Sequence, residues 1–307
     1  MPPLRIATRK SQLALWQAEH TAALLRQAHP GLDVRLVPMS TQGDRVQDRT
    51  LAAIGGKGLF IKELEVALEE RRADVAVHSM KDVPGELTAG LVIAALLERA
   101  DARDALVAAS GAPLEDLPQG ARVGTSSLRR RAQLLATRPD FAIVDLRGNV
   151  DTRLRRLDAG GLDAIVLACA GLIRLGQESR ITARLDPKVC LPAVGQGVIG
   201  IECRTDDSRV RSLLGVLEHP PTRIVLEAER AFARRLGGSC QSPIAAHAQL
   251  GAGRLSIEGL VAEPDGSRLL RDSMTGGLDD PASLGLELAE RVLRAGAGSL
   301  LERLRAG

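Results

Sequence analysis

Two segments far apart in the chain follow one plan. Ile6-Ala7-Thr8-Arg9-Lys10-Ser11-Gln12-Leu13 and Val123-Gly124-Thr125-Ser126-Ser127-Leu128-Arg129-Arg130 each pass from an apolar strand end, through hydroxyl residues, into a helix with cations in its first turn. A hydroxyl at that junction can accept from the free N–H groups of the new helix. Residues 4–8 and 33–39 read as strands around a helix with Leu15, Ala18, Ala22 and Leu25 on one face, ending near Pro30-Gly31. A helix over roughly 59–72 and a strand over 73–80 complete β-α-β-α-β, the order of a mostly parallel sheet. The pattern recurs with strands ending at Gly124, over 141–146 and over 163–168, with helices from 125–127, from Asn149 to Gly160-Gly161, and up to Gly176.

Two similar α/β lobes are therefore expected. The chain crosses between them near 98–103 and returns near 191–197, which predicts a hinge and a cleft. The C-terminal part differs. A helix over 222–236 leads to three strands near 243–250, 254–262 and 267–275, with Gly251-Ala252-Gly253 and Pro264-Asp265-Gly266 as turns. A helix over 281–305 closes the chain. The expected domains are 1–98 with 197–217, 103–191, and 220–307.

Composition removes several function classes. A net charge of +3 argues against a general nucleic-acid coat, and three Phe, one Trp and no Tyr are too few for base-stacking platforms. No apolar run is long enough to span a bilayer, and the first residues lack the apolar stretch of an export signal, so a cytoplasmic protein is expected. Cys169, Cys190, Cys203 and Cys240 have no C-x-x-C spacing, and the five histidines are scattered, so no metal site is expected.

Ligands of open parallel sheets bind beyond the carboxyl ends of the strands, and polar residues collect there. Arg9 and Ser11 follow the first strand. His78, Ser79, Lys81 and Asp82 follow the third. Thr125, Ser126, Arg129 and Arg130 follow the first strand of the second lobe, with Arg147, Arg153 and Arg174 beyond the next two. Helix N-termini carry partial positive charge, and arginine presents a planar fork matched to carboxylates. Each arginine alone could be a surface or ion-pair residue; together they predict a cleft for a multiply anionic ligand. Only five of the 41 cationic residues are lysines, a bias that composition alone can supply, but it does not explain this clustering. Gly55-Gly56-Lys57-Gly58 has no Ser or Thr after the lysine, so it is not a magnesium-nucleotide loop.

Two residues stand apart. Asp82 is a carboxylate among cations; it either pairs with Lys81 or a nearby arginine, or stabilises a cationic intermediate and transfers protons. Cys240, in Gly237-Gly238-Ser239-Cys240-Gln241-Ser242-Pro243, is either a small residue in a turn or a point of covalent attachment.

Together these stretches resemble the porphobilinogen deaminase (hydroxymethylbilane synthase) family. The strongest are Gly55-Gly56-Lys57-Gly58-Leu59-Phe60, Val77-His78-Ser79-Met80-Lys81-Asp82-Val83-Pro84, Gly124-Thr125-Ser126-Ser127-Leu128-Arg129-Arg130, Leu146-Arg147-Gly148-Asn149, Leu191-Pro192-Ala193-Val194-Gly195-Gln196-Gly197 and the Cys240 loop. The resemblance implies two periplasmic-binding-protein-like α/β lobes with an active-site cleft between them, plus a C-terminal α+β domain with a three-stranded antiparallel sheet. It implies a monomeric transferase of tetrapyrrole (haem) biosynthesis that polymerises four porphobilinogen molecules on a dipyrromethane cofactor, with no nucleic-acid or membrane partner and no metal. Asp82 would be catalytic. Cys240 would carry the cofactor as a thioether, and Lys81, Ser11, Thr125, Ser126, Arg129, Arg130, Arg147 and Arg153 would bind it. Arg9, Lys57, Phe60, His78, Ser79, Arg174 and Gln196 would meet the substrate, with Lys57 and Phe60 on a lid loop. Two positions depart from the family pattern: Ser239 stands where Gly often precedes the cysteine, and Ala53-Ile54 where some relatives carry a lysine.

Overall fold

Alternation of buried side chains builds the first sheet. The computed structural model describes residues 2–41, 61–238 and 242–306, so Lys57, Phe60, Ser239 and Cys240 lie outside the described residues. The chain packs as two units, Met1–Ala100 with Val198–Arg223, and Asp101–Gly197 with Ile224–Gly307.

In the first unit, strand β1 (Leu4–Arg9) is followed by helix α1 (Gln12–Ala28), β2 (Val34–Met39), α2 (Lys62–Glu69), β3 (Val75–Ser79) and β4 (Leu91–Leu96). Leu4 and Ile6 pack with Ala18, Ala22 and Leu25 of α1, whereas Ala7 and Ala76 pack with Leu64, Ala67 and Leu68 of α2. Successive strand residues face opposite sides, so α1 and α2 cover opposite faces. Replacing the buried Leu25 by Ala should cost about 2–5 kcal/mol.

The second unit repeats the arrangement. After β5 (Asp104–Ala108) come β6 (Arg122–Gly124), α3 (Leu128–Thr137), β7 (Ala142–Val144), α4 (Val150–Asp158), β8 (Ala164–Ala168), α5 (Cys169–Arg174) and β9 (Ala183–Arg184). Strand β10 (Ile199–Arg204) and helix α6 (Ser208–Gly215) belong to the first unit. The sheet orders are β2-β1-β3-β10-β4 and β7-β6-β8-β5-β9.

In each sheet the three strands of the β-α-β-α-β run are parallel, as their order predicts, and the two remaining strands join antiparallel. Each sheet is therefore mixed, with four of its five strands running one way and one strand, β10 or β5, running against them. The sequence pattern did not disclose β4, β5, β9 or β10, since an apolar run does not state its partner or direction.

Helix α7 (Pro220–Arg235) precedes a third sheet of β11 (Ile244–Gly251), β12 (Arg254–Ala262) and β13 (Leu269–Gly276), all antiparallel. Phe232 of α7 packs directly on Gly259 of β12, where a Cβ would lie 2.5 Å from the ring. Helix α8 (Pro281–Val292) lies so close to α7 that a Cβ on Gly285 would sit 2.0 Å from the Ala228 carbonyl oxygen. Ala245, Leu260 and Ala262 pack with Ala132 of α3 and with Leu191. The single last helix expected from the sequence is interrupted. A wide turn at Leu293–Ala297 contains Gly296 at φ 109°, a conformation costly for other residues, before α9 (Gly298–Ala306).

Candidate active site

Strands β1 and β3 are adjacent and parallel, so their carboxyl ends lie side by side. Arg9 ends β1. Ser11 caps α1, its Oγ accepting from the Ala14 N–H at 3.4 Å and leaving its own proton to donate. Ser79 ends β3, and its Oγ accepts from Gln17 Nε2 of α1 at 2.9 Å. A single 3₁₀ turn, Met80–Asp82, follows at once. It is tied down by the Met80 N–H donating to the Val198 carbonyl at 3.0 Å and by the Val83 N–H donating to Met80 at 3.2 Å. Lys81 and Asp82 are half-buried. The ion pair that the sequence offered for Asp82 is not formed: among the described residues no hydrogen bond or salt bridge engages its carboxylate.

His78 does not join this group. It is buried, and its Nε2 lies 2.9 Å from Glu202 Oε2 of β10, also buried. Alternation along β3 puts it on the face covered by α2, so the ring is committed inside the unit rather than to a ligand.

In the second unit the carboxyl ends of β7, β6 and β8 are likewise neighbours. Thr125 is buried, with Oγ1 accepting from the Ser127 N–H at 3.2 Å, and Ser127 in turn caps α3. Ser126 is half-buried beside them.

Arg129 and Arg130 are not equivalent. Both are buried against Asp104, the first residue of β5, which is fully buried. Arg129 Nη1 donates to Asp104 Oδ2 at 2.7 Å and to the Leu191 carbonyl at 2.6 Å, and its Nε and Nη2 have no acceptor among the described residues. Arg130 commits all three nitrogens, Nε and Nη2 to Asp104 Oδ1 and Nη1 to the Val166 carbonyl. Arg130 is thereby anchored to Asp104 and Val166, and Nη1 and Nη2 each keep a second N–H beyond these bonds. Burial opposes ionisation of Asp104, but the two guanidinium groups outweigh it and hold the carboxyl well below its ordinary range. Two cations on one anion leave a net positive charge in the sheet.

Gln196 belongs to the same hub: its Nε2 donates to the Ala102 carbonyl at 2.6 Å and to Asp104 Oδ1 at 3.0 Å, and the residue is buried. It ties the 191–197 segment to the start of β5. The Cys190 thiol donates to Asp104 Oδ2 at 3.2 Å, and burial pushes that thiol up to about 12, so it is inert.

Arg147, after β7, has a buried Nη1 with no hydrogen-bond partner. Asn149 caps α4 through Oδ1 on the Thr152 N–H at 2.9 Å, and Arg153 Nε reaches back to the Gly148 carbonyl at 2.8 Å. Gly148 has φ 111°, and a Cβ there would meet Thr152 Cγ2 at 2.8 Å, so only glycine lets the chain turn between the two arginines. Arg174 ends α5 with Nη2 on the Gly197 carbonyl at 2.8 Å, and burial pushes its guanidinium down to about 10. Taking a cation out of water has that sign, and a bound carboxylate would reverse it.

Sequence reading missed Asp104, Gln17 and Glu202. The signal available for Asp104 and Glu202 was a charge inside an apolar strand, Asp104-Ala105-Leu106-Val107-Ala108 and Ile199-Gly200-Ile201-Glu202-Cys203. A buried charge needs a partner. Among the described residues no cluster of three or more His, Cys, Asp or Glu could hold a metal ion, and no helix is long and apolar enough to cross a membrane.

Family comparison decides the assignment. The model described as "Porphobilinogen deaminase, dipyromethane cofactor binding domain" matches residues 4–212, and "Porphobilinogen deaminase, C-terminal domain" matches residues 224–294. The chain belongs to the porphobilinogen deaminase family. Porphobilinogen deaminases of Xanthomonas axonopodis pv. citri and of Xanthomonas campestris pv. campestris are each 58% identical to it over 304 residues, covering 99% of this chain and 100% of the relative. Among solved structures, the periplasmic aliphatic sulphonate binding protein SsuA from Escherichia coli matches with a TM-score of 0.40 at 15% identity, over 76% of this chain and 70% of that one.

The residues present fit the cofactor that the family model names. Each pyrrole ring of a dipyrromethane carries carboxylates, and the buried unpartnered Nη1 of Arg147 is a donor that only an incoming acceptor can satisfy.

Proposed function

We propose that this chain condenses four porphobilinogen molecules head-to-tail, losing ammonia at each addition, and releases the linear tetrapyrrole hydroxymethylbilane. Membership of the porphobilinogen deaminase family over the whole chain carries this reading. The dipyrromethane, held as a thioether on Cys240, supplies the primer that the first unit extends.

The residues divide the work by charge. Each added ring brings an acetate and a propionate, so the growing chain is a polyanion. Arg147, Arg153, Arg9, Arg174 and Lys81 neutralise carboxylates, and Arg129 contributes its Nε and Nη2. Ser11, Thr125 and Ser126 donate hydroxyl hydrogen bonds to the same groups. Arg130 acts through Asp104, holding the positive charge of α3 in place. Lys57 and Phe60, which the family resemblance assigns to the substrate, lie outside the described residues.

Asp82 handles the opposite charge. Loss of ammonia from porphobilinogen leaves an azafulvenium cation, and the Asp82 carboxylate stabilises it and takes up protons from the pyrrole nitrogen and the attacked carbon. A charge pair about 4 Å apart contributes about 4 kcal/mol at an effective dielectric of 20. If the cation exists only near the transition state, that is about a thousandfold in rate. A carboxylate already neutralised by a salt bridge would lose most of this effect, which is why the absence of any hydrogen bond or ion pair on Asp82 among the described residues supports the role. The reading carries with it a monomeric cytoplasmic enzyme without a nucleic-acid partner.

Intact-mass measurement tests it. Active protein should exceed its sequence mass by a two-pyrrole adduct, and Cys240→Ser should lack the adduct and the activity. An unmodified mass in protein that turns porphobilinogen into hydroxymethylbilane defeats the tethering.

A further inference from the structure

The turn that carries Asp82 follows directly on strand β3 where β3 pairs with β10. His78 and Gly200 are directly opposed across β3 and β10, and Glu202 lies two residues further along β10. With period-2 alternation, His78, Met80, Gly200 and Glu202 share one face. On that face His78 Nε2 is 2.9 Å from Glu202 Oε2, with the two side chains only 3% and 1% exposed. Met80 lies over Gly200 so closely that a Cβ at position 200 would fall 2.1 Å from its sulfur. Immediately beyond Met80 come Lys81 and Asp82.

The Glu202 carboxylate is expensive where it is. Its Oε1 is buried without a hydrogen-bond partner, and Glu65 of α2, another buried acid, is raised by its own burial and by Glu202. Burying a carboxyl group with an unsatisfied oxygen is no better for stability than packing apolar residues of the same volume. Stability alone therefore gives no reason for a charge in the middle of Ile199-Gly200-Ile201-Glu202-Cys203. Geometry does: the pair pins the imidazole two residues before Met80, the bare backbone of Gly200 leaves room for the Met80 side chain, and Met80 starts the turn.

We propose that Glu202 is a positioning residue for the condensation, fixing the Met80–Asp82 turn through His78 and so aiming the Asp82 carboxylate. This rests on the role given to Asp82 above. Glu202 touches no reacting atom. Loss of its charge alters how often Asp82 is correctly placed, and leaves carboxylate binding by the arginines as it was.

The experiment compares Glu202→Gln, Asp82→Asn and the unaltered enzyme, all carrying the dipyrromethane as judged by intact mass. Glu202→Gln keeps the volume and should lower kcat by about tenfold or more with KM within about twofold, the split of a transition-state effect. A kcat within twofold of the unaltered enzyme, while Asp82→Asn abolishes turnover, overturns the positioning role and leaves Asp82 standing. If Asp82→Asn retains turnover, the Asp82 reading itself fails, whatever Glu202→Gln does. Should Glu202→Gln not fold, His78→Gln and His78→Phe decide. The amide of His78→Gln can still donate to Glu202, so it should keep several times the kcat of His78→Phe at matched thermal midpoint; equal kcat values overturn the proposal.

Discussion

Arg129 meets Asp104 at 2.7 Å with both side chains buried, and Arg130 reaches the other oxygen of the same carboxylate at 2.7 Å. One anion thus organises two cations that the sequence presents as a plain pair of basic residues. Removing it should be severe. Asp104→Asn leaves two buried guanidinium groups uncompensated, which costs about 3–5 kcal/mol, read as a lower urea midpoint. The pH dependence has a definite sign. The folded carboxyl sits below its ordinary value of 3.8, so its stabilisation is fully present above that pH and is lost as pH falls through it. The stability gap between the unaltered protein and Asp104→Asn should be constant near neutrality and narrow below pH of about 4. A gap that persists unchanged under acid would disprove the linkage.

Asp82 offers the contrasting case of a carboxylate with no hydrogen bond or ion pair among the described residues. Asp82→Asn should leave the thermal midpoint within a few degrees of the unaltered protein, because no described hydrogen bond or ion pair is lost. Turnover should fall by about three decades. Asp82→Glu, which keeps the charge and displaces it by one methylene, should fall between them. Steady-state product formation and calorimetry on the same samples check both halves, and turnover within a few-fold for Asp82→Asn would remove the cation-stabilising role.

Arg147 should separate binding from folding. Its Nη1 is buried without an acceptor, so the free protein bears a desolvation penalty there. Arg147→Met keeps the aliphatic bulk and removes that penalty. Its unfolding free energy should be equal to or above that of the unaltered protein, within about 1 kcal/mol. Loading or elongation should slow markedly, since a bidentate carboxylate partner is gone. Single-turnover mass analysis of successive additions reads the effect. Unchanged rates at every step would show that Arg147 meets no substrate carboxylate.

These cases show what the sequence could and could not disclose. The β-α-β-α-β order, the capping serines at 11 and 127, and the strand-exit positions of Arg9, Asp82 and Arg147 are local features, written within a few residues of each other. The antiparallel insertion of β10 and β5 is not local, since strand partners are chosen by burial of both faces. Nor could sequence separate Arg130 from Arg147. Both follow strands of one sheet, and only the fold brings Asp104, 26 positions away, onto Arg130. Nor could sequence join His78 to Glu202, 124 positions away. The closing helix was read as continuous because Gly296 carries no local mark of its positive φ.

The turn between β12 and β13 meets α3 at a glycine, and that glycine can be tested. Gly266, in the turn between β12 and β13, has φ +76°, and a Cβ there would lie 2.6 Å from the Ala136 nitrogen and 2.8 Å from the Ala132 carbonyl oxygen. Two penalties coincide in Gly266→Ala, a left-handed backbone and a collision with the rigid backbone of a helix. Neither can be relieved by rotating a side chain. Together they should destabilise the protein by about 2 kcal/mol or more. The turn must lift away from α3, opening the contact of Leu260 and Ala262 with Ala132. Amide hydrogen exchange should therefore quicken in β12, β13 and the last turns of α3 while β1–β3 keep their protection, since those strands belong to the other unit. Gly277, with a neighbour only at 4.0 Å, is the control, and Gly277→Ala should leave exchange in all of these elements unchanged. Equal exchange in the two variants would mean that the turn does not anchor the sheet.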